Sequence, residues 1–261
     1  MIGGARGRPG AAQALSGGPT MDRKVVLVTG ATSGIGEAAA RELAGRRHTV
    51  VLSGRDRARI VALERELSAK GLRVVAIPGD LALETDAREV VAESLKTFGE
   101  VHALVHAAGV FQVSRLEDTS SDVFRAVLDA NLTALHHLLR HLLPHFYARG
   151  RGHVVAIGSV ASRRAFPLET AYCAAKWGLS GFLEALRLEG RERGLKVTLV
   201  NPGPTATPIW SAYPGKAPLD RMLRPEDVAQ VAAFALDLPE NVLLEEVTVT
   251  PSRDPFRGEG G

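Results

Sequence analysis

The chain alternates short β-branched runs with longer segments whose apolar residues recur every three or four positions. Lys24–Thr29 (KVVLVT) predicts a buried strand, and a glycine-rich turn then leads into a helix from about Ile35 to Gly45. Thr49–Ser53 (TVVLS) predicts a second strand, Arg57–Lys70 a helix that Gly71 ends, and Arg73–Ile77 a third strand. Val90, Val91, Leu95 and Phe98 form a helical stripe within Thr85–Phe98, and Val101–His106 follows as a fourth strand. Thr119 to about Tyr147 reads as one long helix or a kinked pair, because Pro144 interrupts it. His153–Gly158 predicts a fifth strand, Thr170–Arg193 a helix and Lys196–Asn201 a sixth strand. Pro225–Leu236 predicts a helix with proline in its first turn, and Glu246–Thr250 a last strand.

Strands that alternate with helices imply right-handed βαβ units. The expected fold class is α/β and doubly wound: a mostly parallel, seven-stranded sheet with helices on both faces. Residues 21–261 read as a single domain with no repeat. The first twenty residues are rich in Gly, Ala and Pro and read as a disordered extension, with Met21 a candidate native start. The widest irregular stretch, about Pro202–Leu223, is long for a connection and suggests a lid at about 204–223.

Composition narrows the function. The 261 residues are 45% hydrophobic and 23% charged, enough for a sizeable core. The net charge of +3 includes Arg6 and Arg8, so the body carries +1, which argues against a nucleic-acid partner. No run of 18 apolar residues exists, so no transmembrane span is expected, and the N-terminus lacks a secretory h-region. Cys173 is the single cysteine, which excludes an intrachain disulfide and fits a cytoplasmic location.

Tyr172 and Lys176 lie four residues apart and share one helix face. An ammonium beside a phenol favours the phenolate, so Lys176 is expected to lower the Tyr172 pKa toward general acid–base work. Thr29–Gly36 (TGATSGIG) follows a strand and opens a helix, where glycines let the backbone approach a pyrophosphate. After the second strand comes Ser53-Gly54-Arg55, then Asp56. A guanidinium at that edge suits a 2′-phosphate, so NADP(H) is favoured over NAD(H).

In this order, these features resemble the short-chain dehydrogenase/reductase family in its classical, NADP-preferring branch, from about Lys24 to Pro251. That resemblance implies a Rossmann fold. It places cofactor contacts at Gly30, Thr32, Ser33, Gly34, Ile35, Gly36, Ser53 and Arg55, and at the adenine-holding pair Asp80-Leu81. His106-Ala107-Ala108-Gly109 resembles the Asn-Asn-Ala-Gly motif, departing at its first two positions. Asn201-Pro202-Gly203, Thr205 and Thr207 complete the implied cofactor site together with Tyr172 and Lys176. The implied catalytic set is Asn131, Ser159, Tyr172 and Lys176, with Ser159 and Tyr172 at the family's spacing. Ser159 would polarise a carbonyl and Tyr172 donate a proton. Lys176 would hold the nicotinamide ribose, and Asn131 would place a water that relays protons to it.

Phe111 and Val113, Phe166 and Leu168, and Trp210 and Tyr213 are expected to border the substrate, so Phe111, Phe166, Trp210 and Tyr213 join Ser159 as candidate substrate contacts. Such a lining suits a carbonyl or secondary alcohol on a largely apolar body. The ending Glu245–Ser252 followed by a polar tail departs from 3-oxoacyl-carrier-protein reductases, the first alternative, and a non-catalytic NADP(H)-binding sensor is the second. His137, His141 and His145 recur every four residues but lack acidic or Cys co-ligands, so they read as a polar helix face and no metal is expected. Cys173 points away from Tyr172 and reads as packing. A homodimer or homotetramer is the expected assembly.

Overall fold

The computed structural model describes residues 23–257. The extension expected over residues 1–20, and Met21, lie outside the described residues. Seven strands form one sheet: β1 (Val25–Thr29), β2 (Thr49–Ser53), β3 (Val74–Ala76), β4 (Ala103–His106), β5 (Gly152–Ile157), β6 (Leu195–Pro202) and β7 (Glu246–Val249). Their order is β3-β2-β1-β4-β5-β6-β7. Every pairing is parallel, so the sheet is wholly rather than mostly parallel.

Each central strand alternates its side chains between two cores, as a pleat requires. Val26 and Val28 enter one core while Val25 and Leu27 enter the other, and β5 divides likewise, with Val155 and Ile157 opposite Val154 and Ala156. The first core is covered by α1 (Gly34–Gly45), α2 (Arg57–Ala69) and α7 (Pro225–Asp237). Alanines on α1 and α7, among them Ala39, Ala40, Ala232 and Ala233, let those helices approach closely. The second core is covered by α3 (Glu84–Phe98), α5 (Ala134–Ala148) and α6 (Thr170–Gly190). Leu135, Leu138, Leu142, Leu179 and Leu183 are fully buried there, and each contributes about 2 kcal/mol.

The long helical segment takes the first of its two expected forms, one continuous helix, but its irregularity is not at Pro144. From α4 (Ser121–Leu128) the chain continues into α5 without leaving the helix, and the irregularity is a π-turn at Asp129–Thr133. Pro144 sits inside α5 and does not end it. The flanking Leu142 and Phe146 are fully buried, and that packing outweighs the one hydrogen bond the proline forfeits. Among the described residues, no helix is long and apolar enough to cross a membrane.

The strand order reverses between β1 and β4. Chain ends leaving those two strands diverge and open a crevice at their carboxyl edge, where α/β sheets of this kind bind ligands.

Candidate active site

The glycine turn lies at this crevice. Gly30 has φ +67°, and a Cβ there would sit 2.8 Å from the Ala107 carbonyl oxygen. Gly36 is tighter, since a Cβ would fall 2.2 Å from the Gly30 oxygen. Side chains at these positions would fill the space beside the backbone. Ser33 precedes α1 but makes no side-chain cap, so the first N–H groups of the helix stay free to meet an anion. Thr32 packs under Gly54, and Thr207 lies beside Gly34, which brings the segment after β6 to the glycine turn. The Ser53 Oγ is buried and lacks a partner in the protein. Free helix amides, a backbone cradle and an orphan hydroxyl fit a bound dinucleotide.

Next to Ser53, Arg55 is exposed. The neighbouring acid is occupied: Asp56 accepts from the Arg59 N–H at 3.0 Å as the cap of α2 and pairs with the Arg59 side chain. Asp56 is thereby engaged by α2, and Arg55 stays exposed beside it. On the adjacent loop, Asp80 Oδ1 accepts from the Ala82 N–H, its own N–H donates to Asp86, and Leu81 is buried.

Asn131 sits within the π-turn and is buried. Its amide donates to the Val110 oxygen at 2.8 Å and to the Val127 oxygen at 2.9 Å. Its Oδ1 is buried without a partner and faces Gly109, where a Cβ would lie 2.5 Å from it and 3.8 Å from the Lys176 Nζ. Lys176 is buried, donates to the Ile157 oxygen at 3.1 Å, and lies 5.6 Å from the centroid of the Tyr172 ring. Ser159 follows β5. Its N–H donates to Asn201 Oδ1 at 3.2 Å, and its Oγ accepts from the Ala161 N–H at 3.0 Å. Residues from β4, the π-turn, β5, α6 and β6 therefore meet at one edge of the sheet. His106, at the departure from the family motif, joins β4 to β1 through Thr29 Oγ1 at 2.9 Å, and burial pushes its pKa down to about 3, so it stays neutral.

The electrostatics correct one expectation. Lys176 does not lower the Tyr172 pKa here; burial pushes the phenol up to about 12, and a hydrogen bond with Ser159 only partly opposes this. Burial also lowers Lys176 to about 8. Both shifts have one cause, since a dry site disfavours a charged form of either group. The phenol therefore keeps its proton at neutral pH and Lys176 keeps most of its charge. Glu169, one turn before Tyr172, is half-buried, and burial raises its carboxyl to about 7.

The aromatic lining is closer-knit than the sequence suggests. Phe111 meets Tyr172 edge-on with centroids 5.0 Å apart, Trp210 meets Phe111 at 5.5 Å, and Tyr213 meets Trp210 at 5.4 Å. Phe166 packs against the same cluster, beneath Arg164. Trp210 is fixed by its indole N–H, which donates to the Thr205 oxygen at 2.8 Å; Thr205 in turn donates to the Gly203 oxygen. Sequence reasoning missed Phe256, which belongs to the tail read as polar yet packs on Trp210 and Tyr213 at 5.6 Å from each. The one signal available was a lone aromatic in that tail.

The three spaced histidines serve separate contacts. His137 Nδ1 lies 3.2 Å from the Leu81 oxygen, His141 faces Glu84, and His145 Nε2 accepts from the Val101 N–H at 3.1 Å. They tie α5 to the start of α3 and to the approach to β4. Cys173 is buried, and burial raises its thiol pKa.

A doubly wound parallel sheet that carries a glycine turn at its switch point, with a buried tyrosine and lysine beside it, defines a nucleotide-dependent oxidoreductase. Residues 24–216 match the short chain dehydrogenase family. The chain is 36% identical over 241 residues to a glycine betaine reductase of Emericella nidulans, covering 89% of this chain but 19% of that much longer protein. It is 31% identical to an uncharacterized oxidoreductase of Staphylococcus haemolyticus, covering 88% of this chain and 98% of the relative. Among solved structures, an alcohol dehydrogenase of Thermococcus sibiricus complexed with 5-hydroxy-NADP superposes with a TM-score of 0.82 at 27% identity, covering 88% of this chain and 97% of that one. A metagenomic short-chain oxidoreductase in complex with NADP gives 0.77 at 31% identity, covering 88% and 98%. A 3-ketoacyl-(acyl-carrier-protein) reductase of Brucella melitensis complexed with NADH gives 0.80 at 28% identity, covering 88% and 98%. The chain belongs to the short-chain dehydrogenase family, and it is an oxidoreductase.

Proposed function

We propose that the protein is an NADP(H)-dependent reductase of ketones or aldehydes with a largely apolar body, and that Asn131, Ser159, Tyr172 and Lys176 are its catalytic residues. The observation that carries this reading is the buried Tyr172, whose phenol remains protonated beside Ser159 and the Lys176 ammonium. The bound nucleotide supplies the hydride. Ser159 donates its hydroxyl proton in a hydrogen bond to the substrate oxygen. Tyr172 delivers its own proton as negative charge develops on that oxygen, and the nearby Lys176 ammonium stabilises the phenolate left behind. Asn131 Oδ1, which has no partner in the protein, accepts from a water that returns protons to Lys176.

NADP(H) preference is supported by the exposed Arg55 beside a capped Asp56, and by the NADP-type ligands of two of the similar structures. Residues 204–223 act as the lid, and Phe111, Phe166, Trp210 and Tyr213 form the wall against which the substrate body lies. Trp177 and Leu188, both exposed on α6, offer the apolar surface for a homodimer. A second reading, a substrate that carries an ammonium group, is favoured by Glu169, a half-buried acid whose charge is felt at Tyr172. The name of the Emericella nidulans relative, which refers to a quaternary ammonium compound, points the same way.

The test is NADPH consumption across ketones and aldehydes, including an aldehyde that bears a trimethylammonium group. Wild-type protein turns over, and Tyr172→Phe loses at least about a hundredfold in kcat while it still binds NADPH. Unchanged turnover in Tyr172→Phe would sink the mechanism. NADPH binding without turnover of any carbonyl would favour the sensor.

A further inference from the structure

The last strand belongs to the ending that departs from 3-oxoacyl-carrier-protein reductases, and it begins at Glu246. Its Oε1 accepts two hydrogen bonds: from Arg163 Nε at 2.8 Å and from Asn201 Nδ2 at 2.7 Å. A second bond joins the Arg163 guanidinium to Oε2. Asn201 passes the constraint on, since its Oδ1 accepts the Ser159 N–H. Arg163 lies directly after the short helix Val160–Ser162 that Ser159 caps. One carboxylate in β7 therefore grips both ends of the Ser159–Arg163 turn, one end through Asn201 and the other directly. Gly158 leaves no slack, because a Cβ there would fall 2.4 Å from Asn201 Oδ1.

We propose that Glu246 is a positioning residue: through Asn201 and Arg163 it fixes the backbone of Ser159, and so the direction in which the Ser159 hydroxyl meets the substrate oxygen. The proposal rests on the reading of Ser159 given above. Two features separate it from a purely structural role. The Arg163 and Glu246 side chains are 46% and 31% exposed, and ion pairs so open to solvent add little to folding. The acceptor that Asn201 needs is a single oxygen, which glutamine also supplies.

The experiment compares Glu246→Ala, Glu246→Gln and Arg163→Gln with wild type, using the carbonyl that wild type reduces fastest. Kinetics are read with NADPH affinity by fluorescence, melting temperature, and amide exchange of the peptide spanning residues 158–163. Glu246→Ala lowers kcat about tenfold, with KM and NADPH affinity within about twofold of wild type. Exchange across 158–163 accelerates in the same variant. Glu246→Gln retains most of the activity and the protection, and Arg163→Gln falls between the two. Equal kcat in the alanine and glutamine variants, a loss confined to KM, or unchanged exchange in Glu246→Ala would overturn the proposal. Should Glu246→Ala not fold, Arg163→Gln with wild-type kcat and exchange overturns it equally. If wild type reduces no carbonyl, the proposed function fails, while amide exchange still decides whether Glu246 holds the turn.

Discussion

Replacing Asn131 by aspartate changes the chemistry of one atom and almost none of its volume. In the native protein the Asn131 amide donates to two backbone oxygens, of Val110 at 2.8 Å and Val127 at 2.9 Å. An ionised carboxylate in that place has no proton to give and turns an oxygen toward both acceptors. The loss is about 1 kcal/mol for each hydrogen bond, plus about 1 kcal/mol or more for each carbonyl oxygen left without its donor. The sum is about 4 kcal/mol, which lowers the melting temperature by about 8–16 °C in a domain of this size. Asn131→Ala removes the same bonds and leaves the same two carbonyl oxygens without a donor, so it falls by about as much, while the buried charge of aspartate adds to its loss at pH 7. The site supplies the sign of the pH dependence. A carboxyl buried beside carbonyl oxygens has its pKa raised above the unfolded value. As pH falls through that raised value it takes up a proton and regains a donor. The gap to wild type therefore narrows toward acid for aspartate and stays constant for alanine. Thermal unfolding followed by circular dichroism from pH 7 to pH 4.5 measures all three proteins. An aspartate variant that melts within about 2 °C of wild type at pH 7, or that tracks alanine at every pH, would refute this account of the π-turn.

Arg55→Ala weakens NADPH binding about tenfold and leaves NADH binding nearly unchanged, measured by titration calorimetry, because only the 2′-phosphate loses its charged partner. The rate of carbonyl reduction at saturating NADPH falls as pH rises through about 8, where buried Lys176 loses the proton that stabilises the phenolate. A pH–kcat profile checks this, and a flat profile from pH 6 to pH 9 counts against Lys176 in that role.

The chain's own periodicity determined the sheet. Runs such as Val25–Thr29 and Thr49–Ser53 are short, β-branched and buried on both faces, and their alternation with helical segments points to parallel strands between two helical layers. The glycine turn and the Tyr172–Lys176 spacing were legible for a similar reason: each is a local pattern whose chemistry depends on neighbours within a turn or two. Tertiary structure decided the rest. The π-turn at Asn131 is held by carbonyl oxygens that include one 21 residues away, at Val110, whereas the visible local signal, Pro144, pointed to the wrong place. The upward shift of Tyr172 comes from burial, with Phe111 packed edge-on against its ring, and the hydrogen bond with Ser159 only partly opposes it. Phe256 meets Trp210 only because the chain after β7 folds back onto the segment after β6, and Glu246 meets Asn201 and Arg163 because β7 lies beside β6. Propensity and spacing act over a few residues. Desolvation and long-range hydrogen bonds depend on which segments the completed sheet brings together.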